Sequence, residues 1–285
     1  MNAGLHELPL VFFTVLAQSA VGATMMTAVY LLCGKSPSPQ RYRVVRLFFI
    51  PLLLLGLGFA ASVLHLGSPW RAFNALNRIG SSALSNEIAA GAVFFLLTGI
   101  YWLLHMLKKM PVVLDKIWLL LLMSSGIVFI YTMSSVYLIS TVPTWNNGYT
   151  AAAFMLTAVI AGFTLAYALL RFGGVEPASL RPVLWLLLLA LLLSVLLAIS
   201  QAFSLADIQT SVQKATALIP HYSQMVMLKI MLLFAGLGLL YYSVRNPRLA
   251  ALLLCSSVAL MLAAELLGRI LFYGLHMTSG TAIAG

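Results

Sequence analysis

Charge is scarce in this chain. Charged residues fill 8% of its 285 positions against 62% for hydrophobic ones, and mean hydropathy is +1.03. A soluble domain of this length needs a polar shell, and so little charge cannot cover one. Acidic residues are scarcer still, with 6 Asp+Glu against 16 Lys+Arg and a formal net charge of +10. Gathered on one face, that excess would suit nucleic acid. It sits instead in short clusters between apolar runs, the pattern of membrane flanks. Only two cysteines occur, Cys33 and Cys255, each at or inside an apolar run. With no Cys-x-x-Cys the chain cannot hold an iron–sulfur cluster on cysteine ligands, and both thiols read as small buried hydrophobes. Met1–Pro9 contains no Lys or Arg, so the basic start of a cleaved signal peptide is missing and the first apolar run reads as a retained helix. Low-complexity linkers and a separate soluble domain are absent too. Residues 1–285 read as one integral-membrane domain.

What is present is long apolar runs. A hydrocarbon core of ~30 Å takes ~20 residues of helix to cross. Eight stretches qualify: Leu10–Cys33, Val44–Leu66, Leu84–Leu107, Val112–Ile139, Thr150–Phe172, Leu180–Phe203, Ser223–Val244 and Arg248–Leu275. Helix breakers fall between them, among them Gly34 to Pro37, Gly67-Ser68-Pro69, Pro143, Gly173-Gly174, Pro220 and Asn246-Pro247. The expected fold is all-α, a polytopic bundle of eight transmembrane helices. Loops one, three, five and seven carry Lys35, Arg41, Arg43, Arg46, Lys108, Lys109, Lys116, Arg171, Arg181, Arg245 and Arg248, whereas the even loops carry only Arg71, Arg78 and Lys214. The positive-inside rule then places the odd loops in the cytoplasm and both termini outside, on the periplasmic face.

Ionisable groups inside membrane spans are expensive and call for a partner, a water path or a function. The densest set surrounds the second loop: His65, Arg71, Asn74, Asn77 and Arg78, followed by Ser85 and Glu87. His65 ends the second helix, and Glu87 lies about one turn into the third, ~5 Å along its axis. In antiparallel neighbours the two share one depth near the outer interface. An imidazole and a carboxylate so placed can each take a proton from a small two-proton donor. The plainer reading is an interfacial loop whose Arg and Asn side chains bind lipid headgroups or an extrinsic subunit. On the last helix Glu265 and Arg269 stand four residues apart, acid before base, the favourable order for a helical ion pair. They read as a structural pair or as a proton relay near the bilayer midplane. His6, His65, His221 and His276 map to the outer side, which permits a bis-histidine haem without requiring one. Lys229, near the outer end of the seventh helix, is expected to snorkel to the surface. Gln201, Asp207, Gln209 and Gln213 form a polar sixth loop.

Several runs in order carry a family resemblance. They begin with His6-Glu7-x-Pro9-Leu10, then Phe13-Thr14-Val15, and Leu64 to Asn77-Arg78 through Gly67-Ser68-Pro69 and Arg71-Ala72-Phe73-Asn74. They continue with Ala83-Leu84-Ser85-Asn86-Glu87-Ile88, Thr141 to Trp145 and Ser211-Val212-Gln213. The last runs from Glu265-Leu266-x-Gly268-Arg269 to Phe272-Tyr273-Gly274-Leu275-His276-Met277. Together they resemble the anchor subunit of the bacterial dimethyl-sulfoxide reductase family, including its selenate-reductase-like paralogues. Leu8 departs from the tryptophan common in that family.

The resemblance implies an eight-helix anchor of the inner membrane with no haem or metal of its own. Such an anchor oxidises menaquinol near the periplasmic face. Electrons then pass to an iron–sulfur subunit and a molybdopterin catalytic subunit in a heterotrimer, serving anaerobic respiration on an S-oxide, N-oxide or selenate-type acceptor. The family's quinol-site histidine and glutamate fall on His65 and Glu87. Arg71, Asn74, Asn77, Arg78 and Ser85 either line that site or seat the iron–sulfur subunit. A purely structural anchor and a secondary transporter centred on Glu265 and Arg269 stand as the alternatives.

Overall fold

The computed structural model describes residues 2–34, 38–65, 76–208 and 214–278. These residues form helices joined by turns, and eight of the helices are long and apolar enough to cross a membrane. They are α1 (Leu8–Cys33), α2 (Ser38–Val63), α3 (Ala83–Met106), α4 (Val113–Ser135), α5 (Gly148–Phe172), α6 (Pro177–Asp207), α7 (Tyr222–Arg245) and α8 (Pro247–Gly274).

The helices divide into an inner pair and an outer ring. In α1 67% of the most apolar stretch is buried and in α5 72%, against 17–33% in the other six. Small residues make the inner position possible: Ala17, Ser19, Ala20, Gly22 and Ala23 of α1 are all buried, as are Ala158, Ala161 and Gly162 of α5. Small faces let helix backbones approach where no water drives them together. The closest approach is at Gly22, where an added Cβ would fall 1.9 Å from the Ala158 carbonyl oxygen. From the other side, one on Gly162 would lie 2.6 Å from the Gly22 Cα. This contact coincides with a π-helical turn, Ala158–Gly162, that interrupts α5. The outer ring turns Leu57, Leu96, Tyr131, Leu196, Met231 and Leu252 outward, as a lipid-facing surface requires. Cys33 and Cys255 are exposed with them rather than buried. In lipid the outside of a bundle is as apolar as its inside, so a small apolar residue has no reason to prefer the core.

Helix ends depart from the expected ones for local reasons. α2 begins at Ser38, six residues before the apolar run, because its polar first turns are fastened to the α5–α6 connection. Gln40 Nε2 donates to the Gly174 carbonyl (2.8 Å) and Arg43 Nε to that of Gly173 (3.2 Å). The helix is then broken at Leu47–Phe48, since Pro51 has no N–H to offer the Leu47 carbonyl, which takes the Ile50 N–H instead (3.0 Å). α4 stops at Ser135 rather than Ile139, where the Ser134 and Ser135 hydroxyls turn back onto the Tyr131 carbonyl. The short helix Asn2–His6 packs on α8, with Gly4 against the Ile270 carbonyl. Both ends of the described chain therefore lie at one end of the bundle, the end that also holds the α2–α3, α4–α5 and α6–α7 connections.

Candidate functional site

At that end α3 opens after a tight turn. The 3₁₀ turn Leu76–Arg78 leaves Asn77 and Arg78 exposed, and the Arg78 carbonyl accepts the backbone N–H groups of Ser81 and Ser82 (3.1 and 3.0 Å). Gly80, at φ +88°, takes a left-handed conformation that a side chain would strain, and its N–H donates to Asn86 Oδ1 (2.6 Å). That turn sends Ser85 and Glu87 inward: they are 2% and 3% exposed. Glu87 Oε1 has no hydrogen-bond partner among the described residues. A carboxylate so buried needs a partner or a proton. The backbone of His65 closes the helical segment Phe49–His65, but its side chain lies outside the described residues, as do Arg71 and Asn74.

Inward from Glu87 stands an aromatic group that sequence reasoning did not assemble. The hydroxyls of Tyr137 and Tyr273 are 2.5 Å apart. Burial, then the neighbouring Tyr273 and Glu87, holds the Tyr137 hydroxyl well above the ordinary tyrosine range, so it stays protonated. Trp145 stacks on Phe272 with ring centres 5.2 Å apart and donates its indole N–H to the Phe272 carbonyl (2.8 Å). His276 lies against the same indole (4.7 Å between ring centres). Asn147 caps α5 beside them, its Oδ1 accepting the Thr150 N–H (3.3 Å). His6, His221 and His276 are all exposed. Among the described residues, no three His, Cys, Asp or Glu side chains converge as metal ligands.

A second polar group lies deeper, where α1, α5, α7 and α8 meet. Glu265 and Arg269 are both buried, and the pair expected between them takes a different form. The cation at ion-pair distance from Glu265 is Lys229, 3.4 Å away, which turns inward instead of snorkelling. It passes over Gly268, where an added Cβ would meet its ammonium at 2.7 Å. Thr157 donates its hydroxyl to Glu265 Oε2 (2.6 Å) and faces Arg269 at 3.4 Å, so a hydroxyl mediates between acid and base. Arg269 donates to Gln18 Oε1 (2.7 Å), and its guanidinium lies 3.6 Å from the centre of the Phe154 ring. It is therefore held by an amide and by aromatic faces. Thr157 and Gln18 gave no signal in sequence beyond being polar residues within apolar runs. A narrow cleft lined by Lys229, Gly268, Gln201 and Tyr222 leads from this group toward the Glu87 end of the bundle.

At the opposite end Asp115 ties three helices together. It accepts from Arg41 (2.5 Å) and Tyr101 (2.9 Å) and faces His105 at 3.5 Å, while Arg41 also donates to the Leu31 carbonyl (2.8 Å). This arrangement fastens α1, α2, α3 and α4.

Known proteins resemble this chain in sequence along nearly its whole length. A family model described as DMSO reductase anchor subunit (DmsC) matches residues 1–275. Similar relatives include the anaerobic dimethyl sulfoxide reductase chain YnfH of Escherichia coli K12, 48% identical over 288 residues. A second is a subunit of the anaerobic dimethyl sulfoxide reductase of Haemophilus influenzae, 47% identical over 285 residues. The corresponding subunit of the E. coli K12 reductase is 44% identical over 286 residues, and all three alignments cover the whole of both sequences.

Proposed function

Since the chain belongs to the family of DMSO reductase anchor subunits, we propose that it also oxidises menaquinol, at the end of the bundle where Glu87 is buried. It is a multi-pass protein of the bacterial inner membrane and anchors a complex whose catalytic and iron–sulfur partners carry the redox cofactors. Its own donor set does not fit an iron–sulfur cluster: the two cysteines stand singly on α1 and α8. The observation that carries the proposal is Glu87, a buried carboxyl with an oxygen left unpaired, at the same end of the bundle as His65, the last residue of the helical segment Phe49–His65.

In this reading menaquinol enters from lipid between helix ends, and its two hydroxyls hydrogen-bond to His65 and Glu87. Each side chain takes one proton as electrons leave for the iron–sulfur partner. Tyr137, kept protonated, cannot be the base, and its hydroxyl is shared with that of Tyr273. The basic odd loops favour the periplasmic face for this end, from which protons leave to the periplasm and little charge crosses the membrane. Arg71 and Asn74 line the site or seat the partner in a heterotrimer. The exposure of Asn77 and Arg78 favours docking for those two. Buried Ser85 belongs with Glu87. The acceptor is an S-oxide, N-oxide or selenate-type compound handled by the catalytic partner.

The test is binding of a quinol analogue to the purified complex, wild type against His65→Ala, with turnover measured from quinol and from an artificial donor. Loss of binding and of quinol-driven turnover, with artificial-donor turnover intact, is the expected result. Binding retained in the variant would make this chain a structural anchor with the quinol site elsewhere.

A further inference from the structure

At the opposite end of the bundle from Glu87, α6 and α7 diverge and leave a groove of about 820 Å³. Its lining is graded. Arg181 and Arg245 stand at its mouth, at the start of the helical run Arg181–Asp207 and at the last residue of α7. Trp185 and Tyr241 come one turn further in, and Gly238 and Phe234 deeper still. Arg245 is braced on Tyr241, donating to its hydroxyl (2.9 Å) with its guanidinium 5.0 Å from the ring centre. No Asp or Glu lines the groove among the described residues, and Glu176, next to its edge in sequence, lines a different cleft. Gly238 opens the apolar part, since a Cβ added there would meet nothing within 4 Å.

Two cations above aromatic rings above an apolar trough match one class of molecule in shape and charge. We propose that this groove binds an anionic phospholipid, its phosphate held by Arg181 and Arg245 and an acyl chain laid along Gly238 and Phe234. A neutral quinone could fill the trough but would leave both arginines without a counter-charge, and a zwitterionic lipid would bring its own ammonium up against them. Near a membrane surface each such cation favours anionic lipid enough that two give on the order of 30-fold preference. Trp185 and Tyr241 sit at the depth where amphipathic rings settle beside headgroups. The site is independent of the quinol reading, being at the other end of the molecule and sharing no residue with it.

Trp185, 70% exposed in the groove, is a built-in reporter. The full-length chain is reconstituted in phosphatidylcholine vesicles containing a small fraction of brominated phosphatidylglycerol or brominated phosphatidylcholine. Quenching of Trp185 is isolated as the difference from Trp185→Phe. The expected result is roughly 30-fold stronger apparent binding of the anionic lipid. That preference should vanish in the double variant Arg181→Gln/Arg245→Gln while quenching by phosphatidylcholine is unchanged. Gly238→Leu, which adds bulk only to open space, should weaken quenching by both lipids. Equal quenching by the two lipids in the wild type would overturn the proposal, as would a preference that survives loss of both arginines. Relief of quenching by inorganic phosphate or by a quinone would assign the groove to that ligand instead and overturn it as well.

Discussion

Lys229 reaches Glu265 over the bare face of Gly268, and the 3.4 Å ion pair exists because that position carries no side chain. Gly268→Val should therefore separate the pair without touching either charge. Leaving Glu265 buried and uncompensated costs about 3–5 kcal/mol when a partner is removed outright. Thermal unfolding in detergent should show a drop of that order for Lys229→Met and for Gly268→Val. The double change Lys229→Met/Glu265→Gln should recover much of it. A double variant no more stable than Lys229→Met would mean that the pair contributes nothing.

A second prediction concerns the contact of α1 with α5. Gly22→Ala places a Cβ 1.9 Å from the Ala158 carbonyl oxygen, backbone against backbone, where no side chain can give way. Overpacking of this kind costs at least about 1–3 kcal/mol. Gly99→Ala is the control: its Cβ would meet only Leu52 at an ordinary 3.9 Å, and the helix should gain up to about 1 kcal/mol in propensity. The two unfolding midpoints should move in opposite directions.

Much of this architecture is legible in the sequence, and the remainder is not for a common reason. Hydropathy finds all eight spans because crossing a bilayer is a demand on each helix separately. It misplaces the start of α2, because Gln40 and Arg43 are held by carbonyls of another segment. It does show that Glu265 and Arg269 need partners, while sending Lys229 to the surface. It misassigns them, because a buried charge chooses among groups brought in by several helices, here Thr157 and Gln18 from α5 and α1. Glu87 stood out by position alone, whereas the Tyr137–Tyr273 contact joins residues 136 positions apart and leaves no local pattern.

A third prediction follows for Glu87. Glu87→Gln keeps the shape and removes the base, so quinol-driven turnover should fall about 10²–10⁴-fold, the usual worth of a general base. Turnover from an artificial donor, which bypasses this chain, should be unchanged. A Gln variant that oxidises quinol at the wild-type rate would remove Glu87 from the chemistry.

Arg269 offers a fourth. Its planar guanidinium both lies over Phe154 and reaches Gln18, which an ammonium cannot reproduce. Arg269→Lys should lower stability by about 2 kcal/mol, the scale of a desolvated cation–aromatic contact. Gln18→Leu should cost less in Arg269→Lys than in the wild type, read from a double-mutant cycle on unfolding midpoints. Additive losses would mean that the two side chains do not act together.

The π-helical turn at Ala158–Gly162 amounts to one residue more than an α-helix would use there, and one residue is about 100° of rotation. It works as a phase shifter within α5. The half bearing Phe154 and Thr157 is aimed at α8, while the half bearing Tyr167 and Leu170 is packed independently into the other end of the bundle. Deleting a single residue in that turn would leave composition and hydropathy almost untouched. It would swing Thr157 a quarter of a circle away from Glu265, so spacing along the chain, as much as the identity of any side chain, keeps the buried charges in company.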